Sequence, residues 1–382
     1  MIVDEISVDR KDQHVFLTGR VTWGRSRNAF RLFYSYPLEV AEWLRPRADP
    51  FIAALLLPSM RIGETLSVEG EASRKLLSAV PNIVKLFRTF DNTLQFVGVN
   101  AIETSEKNRA RSPQVSALFF SAGLDSFYSL IKLDQSQGEL THLILVRGFD
   151  ISLDDDALYN MTYAAAKDVA GNFRKTLIPI STNLRSLTDR FVHWDFAFGP
   201  ALASIGLSLQ SWLGRVYIAS DLPNVLYPTG SRPDLDPLWS TETTAFVHHG
   251  YETVKREKGK AVACNPLARK YLRVCWENWH GAYNCGKCMK CVLTMLDLHL
   301  AGVLEEFTVF PTKLSPNLVR RSRLDADSEL IRYFIETQSA DLREIGETGL
   351  ANALASALAM SKLRHRFVTA PWLKLRRITH KS

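Results

Sequence analysis

The chain has 382 residues, of which 46% are hydrophobic and 23% charged, and its formal net charge is +7. This composition is typical of a globular protein with room for two cores and argues against extensive disorder. The longest apolar stretches, residues 51–57, 201–209 and 350–360, are shorter than the ~20 residues that a membrane-spanning helix needs. Residues 1–9 are charged and lack the apolar core of a signal peptide, so we expect a cytoplasmic protein without a membrane span.

The positive charge is concentrated at the carboxyl end of the chain. No acidic residue follows Glu347, whereas the basic residues beyond it are Lys362, Arg364, Arg366, Lys374, Arg376, Arg377 and Lys381. This tail is either a solvated helix end with a local docking role or a surface for an anionic polymer. A nucleic acid therefore stays open as a partner, and so does a homodimer.

Residues 1–105 contain alternating apolar and polar runs that predict half-buried strands at 14–21, 30–34 and 66–71. Helices are predicted at 38–44 and 79–90, and a closing strand at 94–100. The pattern indicates a small β-rich (α+β) accessory domain without a chemical constellation, for which a protein partner is the expected role. The polar segment 104–113 ends in proline and predicts a linker.

From residue 115 onward, predicted strands alternate with predicted helices. The strands are expected at 116–120, 142–146, 175–180 and 216–219, and the helices at 125–134, 158–170 and 197–213. Such alternation predicts an α/β domain over residues 115–300, with a parallel sheet, right-handed crossovers and helices on both faces. Ligands bind such sheets beyond the carboxyl ends of their strands. Residues 301–382 are predicted to form a helical, basic carboxyl-terminal region, with helices at 328–337 and 342–360.

The first strand of this domain leads into a turn of small residues followed by a helix. Its sequence is Ser121-Ala122-Gly123-Leu124-Asp125-Ser126. Small residues let a backbone approach a polyphosphate, and the helix start offers N–H groups and a positive dipole end. Asp125 either caps the helix or helps to hold Mg²⁺. Glycine and serine also begin ordinary helices, so the turn alone is a weak signal.

Four cysteines are crowded into a short segment. They are Cys275, Cys285, Cys288 and Cys291, with the spacing C-x9-C-x2-C-x2-C. In a reducing compartment such crowding favours a metal over disulfides. Four thiolates would form a closed, structural zinc site, and an iron–sulfur cluster is the competing interpretation. Cys264 lies outside this spacing and is predicted to be a buried thiol.

Residues 121–126 resemble the SGGxDS signature of the PP-loop, or N-type ATP pyrophosphatase, superfamily, with Ala122 at a position that is usually glycine. Together with the cysteine quartet, they resemble the 7-cyano-7-deazaguanine synthase branch over residues 117–298, about half of the chain. Tyr227-Pro228 and Arg232-Pro233 resemble the YPDCRPEF stretch of that family's substrate pocket, with one extra residue between the pairs. The long segment before the loop and the helical tail depart from the family pattern.

The resemblance implies an adenine-nucleotide alpha hydrolase-like fold and an ATP-dependent ligase or synthase that forms AMP and pyrophosphate. A small carboxylate or amide, with a 7-deazapurine of queuosine biosynthesis as one candidate, would be adenylated and then attacked by ammonia or an amine. ATP, Mg²⁺ and Zn²⁺ are the implied cofactors. Two alternatives stay open: sulfur transfer to tRNA or a small molecule, and a nucleotide-binding regulatory module in which Ala122 has weakened catalysis.

Three groups of site residues follow from the motif and the resemblance. The expected catalytic residues are Asp125, Ser126 and Arg232. The expected nucleotide-binding residues are Ser121, Ala122, Gly123, Leu124, Asp125, Ser126, Arg147 and Gly148. The expected substrate-binding residues are Ser220, Asp221, Tyr227, Arg232, Asp234, Asp236 and Trp239.

Several of these polar residues also have ordinary structural interpretations. Arg147 could be a surface charge, and Asp234 or Asp236 could cap a turn. Asp195, beside His193 and Trp194, is interpreted as the cap of a helix. The pair His248-His249 is interpreted as ordinary polar surface, because no partners stand at ligand spacing.

Overall fold

The structure is a computed structural model that describes residues 1–104, 115–136, 140–222, 227–324 and 329–364. It divides into two compact units, Met1–Val254 and Lys255–Ser382. Most of the predicted linker and the basic residues beyond 364 lie outside the described residues. Among the helices within the described ranges, none combines the length and the apolarity that crossing a bilayer requires.

One ten-stranded sheet runs through the first unit. Its strands are β1 (Ile2–Lys11), β2 (His14–Trp23), β3 (Asn28–Pro37), β4 (Leu66–Ser73), β5 (Val99–Thr104), β6 (Val115–Phe119), β7 (His142–Arg147), β8 (Thr176–Thr182), β9 (Leu213–Ala219) and β10 (Ala245–His249). Their order across the sheet is β10-β9-β6-β7-β8-β3-β2-β1-β4-β5.

The five strands β6 to β10 form a continuous parallel block, which confirms the predicted α/β class. Counted in chain order within this block, the strands follow the sequence 3-2-1-4-5. The direction of strand order therefore reverses between β6 and β9. In open α/β sheets this reversal opens a crevice at the carboxyl ends of the strands, where ligands bind.

The first five strands extend the same sheet. Strand β3 pairs antiparallel with β8 through Tyr34 and Ser35, which lie opposite Thr182 and Ser181. Strands β1 to β3 form an antiparallel meander, and β4 and β5 are added in parallel beyond β1. The accessory domain expected at residues 1–105 thus shares its sheet with the parallel block, and its autonomy stays a prediction.

Six α-helices accompany the sheet within the described part of the first unit. They are α1 (Asp49–Ile62), α2 (Arg74–Phe90), α3 (Leu124–Gln135), α4 (Asp156–Asn172), α5 (Leu184–Thr188) and α6 (Trp194–Ser208). Helix α6 is shorter than the predicted 197–213, because the chain turns after Ser208 and enters β9 at Leu213.

Helix α1 was not predicted as a helix. All of its residues from Asp49 to Met60 are buried, so it has no polar face to reveal a 3.6-residue period. Pro50 lies in its first turn, and Gly63, with φ of +70°, ends it. Helix α1 packs against α6, which places an apolar helix pair over the sheet.

The second unit is helical within its described residues. Its helices are α7 (Lys255–Ala263), α8 (Pro266–Tyr271), α9 (Met289–Leu300), α10 (Pro316–Arg321), α11 (Glu329–Glu344) and α12 (Thr348–Arg364). Val292, Met295 and Leu296 of α9 form a core with Leu342 and Leu354 of the last two helices. The cysteine segment precedes α9 and leads directly into it.

Candidate functional site

The turn after β6 lies at the carboxyl end of the central parallel strand and runs straight into α3. The Gly123 N–H donates to Ser121 Oγ at 3.3 Å, and Ser126 Oγ donates to the Gly123 carbonyl at 3.0 Å. The two serine hydroxyl oxygens are 3.5 Å apart. Asp125 is partly exposed in the first turn of α3, where the helix dipole favours a carboxylate. The predicted phosphate-binding hydroxyls therefore lie side by side at a helix start.

Ala122 adopts a left-handed backbone conformation in this turn. Its φ is +59°, and the residue is 1% exposed. Glycine enters this region freely, whereas a side chain with Cβ pays about 1–2 kcal/mol. The position at which the PP-loop signature usually has glycine is thus one where glycine is physically favoured. The turn of this chain carries strain that the usual glycine would not.

The neighbouring strand β7 ends at Arg147, which is a paired residue and not a solvated surface charge. Its Nη2 donates to Asp156 Oδ1 at 2.5 Å, and its guanidinium lies 4.7 Å from the centroid of the Tyr159 ring. Gly148 follows with φ of +98°, and a Cβ there would lie 1.9 Å from the carbonyl oxygen of Thr182. Glycine is therefore required for the ends of β7 and β8 to approach each other.

The carboxyl ends of β9 and β10 contact α3, the helix that follows the turn of residues 121–126. The Ser220 N–H donates to the His249 carbonyl at 2.8 Å, and the His249 ring Nδ1 lies 3.0 Å from Ser129 Oγ in α3. Ser220 is buried and donates its hydroxyl to the Leu222 carbonyl, whereas Asp221 is partly exposed. These contacts bring the predicted residues after β9 to the sheet edge that carries the turn of residues 121–126.

The segment 227–232, which resembles the substrate stretch, is fixed against the start of α6. The Gly230 N–H donates to the Asp195 carbonyl at 2.7 Å, and Thr229 Oγ1 donates to the same oxygen at 3.3 Å. A Cβ on Gly199 would lie 1.7 Å from the Gly230 carbonyl oxygen, so both glycines allow the close approach. The helix cap is His193 and not Asp195 as expected, because the His193 ring accepts the Asp195 N–H.

Arg232 is buried and already engaged within this segment. Its Nε and Nη2 donate to the two carboxylate oxygens of Asp234 at 2.8 and 2.6 Å, and its Nη1 donates to the Tyr227 carbonyl at 3.3 Å. The guanidinium also lies 4.7 Å from the centroid of the Phe90 ring. Asp234 is exposed, and its carboxylate occupies the two guanidinium donors with which Arg232 would bind a carboxylate or phosphate. A substrate anion must displace it to reach Arg232.

Asp236 and Trp239 lie deeper than expected for residues that line a substrate pocket. Asp236 is completely buried, and its Oδ2 accepts the Ser231 hydroxyl at 2.7 Å and lies 2.8 Å from His248 Nδ1. Burial raises the pKa of Asp236, although the hydrogen bonds from His248 and Ser231 oppose this rise. Trp239 is also completely buried within the apolar core. Within the described residues, Asp236 Oδ1 and Trp239 Nε1 have no hydrogen-bond partner.

His248 corrects the expectation that the histidine pair is ordinary polar surface. It is only 7% exposed, and it faces Asp236, whereas His249 faces Ser129 in α3. Strand alternation could have indicated the burial of His248, because Phe246 and His248 share one face of β10 and both are buried. The partner carboxylate could not be found by spacing, since it stands on a separate turn.

The four predicted metal ligands converge in the second unit. Cys275, Cys285, Cys288 and Cys291 are all buried, and their sulfur atoms lie within 4.8 Å of one another. The Cys275 and Cys288 sulfurs are 3.8 Å apart, and those of Cys285 and Cys291 are 3.9 Å apart. A tetrahedron with metal–sulfur bonds of about 2.3 Å has similar edges. The cluster can therefore hold a metal ion such as zinc.

The local backbone conformation brings the cysteines of this cluster together. Gly286 has φ of +67°, which allows a tight turn between Cys285 and Cys288, and the Cys288 N–H donates to Cys285 Sγ at 3.2 Å. Cys288 in turn caps α9 by accepting the Cys291 N–H at 3.4 Å. Asn284 Oδ1 accepts the Cys275 N–H and so joins the first ligand to the turn.

The electrostatics of the cluster also favour a cation. Hydrogen bonds from Cys288 and Cys291 hold the pKa of the Cys275 thiol below its usual value, and the hydrogen bond with Cys275 raises the pKa of Cys288 to about 12. Four thiols at this separation cannot all ionise without a positive charge between them, and a divalent metal supplies that charge. Cys264 is exposed, not buried as expected, and is not part of the cluster.

Comparisons of the chain with protein-family models, with curated proteins and with solved structures give no match. Two features of the described residues bear on function: the turn of residues 121–126 at the reversal of strand order, and the buried cysteine cluster.

Proposed function

We propose that the chain is an ATP-dependent synthase of the PP-loop type, which adenylates a small carboxylate or amide and then joins it to ammonia or an amine. The observation that carries the proposal is the position of residues 121–126. They follow β6 beside the reversal of strand order and open directly into α3. A helix start at that point of an α/β sheet is where a nucleotide phosphate is best stabilised.

In the proposed first step, a substrate oxygen attacks the α-phosphorus of ATP, and pyrophosphate leaves as the P–O bond to the β-phosphate breaks. The protein would contribute position and charge stabilisation. The backbone N–H groups of the turn and the hydroxyls of Ser121 and Ser126 would donate to phosphate oxygens. Asp125 would hold Mg²⁺, which neutralises phosphate charge when it is bound.

The acceptor would bind at the segment that contains Tyr227 and Arg232. Arg232 is preorganised by its stacking on Phe90, and its bidentate fork is held by the exposed carboxylate of Asp234. A substrate carboxylate has the same shape and charge as Asp234, so exchange of one for the other conserves both hydrogen bonds. This supports an anionic acceptor, and a 7-deazapurine acid is the first one to test because of the sequence resemblance.

Zinc is the metal that we propose for the cysteine cluster. Four buried thiolates leave no ligand position for water, so the role is structural. The ligands Cys285, Cys288 and Cys291 stand at the start of α9, and the metal would therefore fix the beginning of that helix. None of the chemical steps is assigned to it.

The proposed activity is tested by incubating the zinc-loaded chain with ATP, Mg²⁺, ammonium and 7-carboxy-7-deazaguanine, and by quantifying AMP and pyrophosphate. Release of AMP that depends on the acid supports the proposal. The Asp125→Asn variant should lose at least 100-fold in rate, because metal and phosphate positioning both suffer. Asp134→Asn is the matched control, since Asp134 lies in the last turn of the same helix, where it forms an ion pair with Lys175.

Two other outcomes change the conclusion. AMP release with a different carboxylate, but not with the deazapurine acid, would keep the adenylating chemistry and discard this acceptor. ATP binding without AMP release for any acid would instead favour the nucleotide-binding regulatory module, to which the strained Ala122 would then contribute.

A further inference from the structure

A buried group of three polar side chains lies beneath the proposed acceptor segment. Ser231 belongs to that segment, Asp236 begins the short 3₁₀ turn Asp236–Trp239, and His248 ends the face of β10 that looks toward them. Asp236 Oδ2 accepts from both partners, at 2.7 Å from Ser231 Oγ and 2.8 Å from His248 Nδ1. The three residues are 0–7% exposed.

The hydrogen bond relates the tautomer of His248 to the charge of Asp236. When Asp236 is ionised it can only accept at 2.8 Å from Nδ1, so Nδ1 then carries hydrogen and the neutral ring keeps its lone pair on Nε2. The side-chain hydrogen bonds of His248 to the described residues involve Nδ1. A carboxylate behind one ring nitrogen, with the other left as an acceptor, is the arrangement that prepares an imidazole for proton abstraction.

The position of the ring relates it to the proposed reaction. His248 precedes His249, the residue whose carbonyl bonds to Ser220 at the end of β9. It therefore lies at the carboxyl edge of the parallel block, under the segment that holds Arg232. The titratable side chains that contact the His248 ring in the described part of the chain are Asp236 and Tyr251, whose ring centroid is 5.9 Å away.

We propose that His248 is the general base of the second half-reaction and that Asp236 is its positioning residue. This inference rests on the proposed function. In this step the amine nitrogen forms a bond to the carbonyl carbon of the adenylated acid, and the bond from that carbon to the phosphate oxygen breaks. AMP leaves with the electron pair. The proton that the nitrogen must lose passes to His248 Nε2, and Asp236 stabilises the resulting imidazolium.

The decisive experiment separates the two half-reactions in the full chain. Exchange of pyrophosphate into ATP reports adenylation, and amide formation from ammonium reports transfer. The His248→Gln variant should keep exchange within about twofold and lose at least about 100-fold in transfer, which is the usual contribution of a general base. His14→Gln, an exposed histidine on β2, is the matched control and should change neither rate.

Hydroxylamine distinguishes a chemical role from a structural one. It attacks activated acyl groups as the neutral base at neutral pH, so His248→Gln should form the hydroxamate at close to the unmutated rate. Asp236→Asn should lower the rate of amide formation and change its pH profile between about pH 6 and 9, because the ring loses its fixed tautomer. Neither effect follows from a packing role alone.

The outcomes are distinguishable. If the unmutated chain shows neither exchange nor AMP with any acid, the proposed function fails and this inference falls with it. If the unmutated chain is active and His248→Gln forms amide at the unmutated rate, the inference alone is overturned. It is also overturned if His248→Gln loses exchange and hydroxamate formation together, since that result identifies a structural residue.

Discussion

Ala122 shows how a single side chain can bear on both stability and chemistry. The residue holds φ of +59° in a buried turn, so its methyl group is tolerated at a cost. We expect Ala122→Val to lower the free energy of unfolding by about 2 kcal/mol, because a β-branched side chain is an outlier in this region. Ala122→Gly should be neutral within about 1 kcal/mol, because released strain offsets the added freedom of the unfolded chain.

Urea unfolding of the three proteins measures this difference. Equal stability of the valine and glycine variants would show that the turn does not hold Ala122 in the left-handed region. The same pair bears on the proposed function, since glycine removes the one methyl that departs from the superfamily signature. If that methyl limits the reaction, AMP formation rises in Ala122→Gly.

At the scale of single elements, we expect the fold of the cysteine segment to depend on a metal ion. Four buried thiols converge before α9, and the free energy of binding structural zinc is about 10–16 kcal/mol in small domains. We expect about one zinc ion per chain, and we expect a strong chelator to unfold the segment around Trp276 and shift its fluorescence. Metal analysis and fluorescence during chelation measure both effects.

Substitution of single cysteines provides the control for this prediction. Cys275→Ser removes one of four ligands and should lower the zinc content and the melting temperature. Cys264→Ser should change neither, because Cys264 is exposed and outside the cluster. Equal zinc content in the two variants would contradict the assigned ligand set. An iron and sulfide content instead of zinc would favour the iron–sulfur interpretation.

The junction between β3 and β8 is stabilised by a particular side chain, Asn183. Two residue pairs join the strands, the Thr182 hydroxyl donates to the Phe33 carbonyl at 2.7 Å, and the Asn183 side chain extends the junction. Its Oδ1 accepts the Phe33 N–H and its Nδ2 donates to the Arg31 carbonyl, both at 2.9 Å. We expect Asn183→Ala to destabilise the first unit by about 1–3 kcal/mol, because two backbone groups lose their partners.

Chemical denaturation with Asn172→Ala as the reference tests this effect. Asn172 ends α4 and bonds only within its own helix, to Asp168, so its loss should cost about 0.5 kcal/mol or less. Asn183→Asp, which keeps an acceptor and loses the donor, should fall between the two. A cost for Asn183→Ala no greater than that of the reference would show that the junction does not need the Asn183 side chain.

The sequence predicted the elements whose signals are local. The β-α alternation after residue 115 predicted the parallel block, and the crowding of four cysteines predicted their convergence. Helix α1 was not predicted, because it is apolar on every side and its sequence shows no helical period. The pairing of Asp236 with His248 was not predicted either, because it joins a turn to a strand and no sequence period relates two such residues.

At the scale of the whole first unit, the sheet order could not be predicted from the pattern alone. The meander of residues 2–37 has the alternation of an independent β-rich domain, and its addition to the edge at β8 involves two residue pairs, the Thr182 hydroxyl and the Asn183 amide. The buried residues show that the meander and the parallel block share one core, since Tyr34 and Tyr36 of β3 lie in the same core as α6. A continuous core of this kind favours cooperative unfolding of the described part of Met1–Val254.

The two tyrosines make this cooperativity measurable at high pH. The Tyr34 hydroxyl donates to Ser204 Oγ at 3.1 Å, and the Tyr36 hydroxyl is hydrogen-bonded to Ser208 Oγ. Complete burial raises the pKa of both phenols above the usual value of about 10. Because the unfolded chain releases these protons first, their contribution is fully present below about pH 10 and is lost as the pH rises toward the folded pKa values.

We therefore expect the first unit to lose stability steeply above about pH 10, with tyrosinate absorbance from these two residues appearing only as the helical circular dichroism signal disappears. The double variant Tyr34→Phe with Tyr36→Phe should show a shallower dependence of unfolding free energy on pH, because two ionisable groups are removed from the unfolded state. Parallel urea titrations at about pH 8 and 11 measure that slope. If the dependence of unfolding free energy on pH is equal in both proteins, the phenols ionise without unfolding. The contact of β3 with α6 would then not form part of one cooperative core.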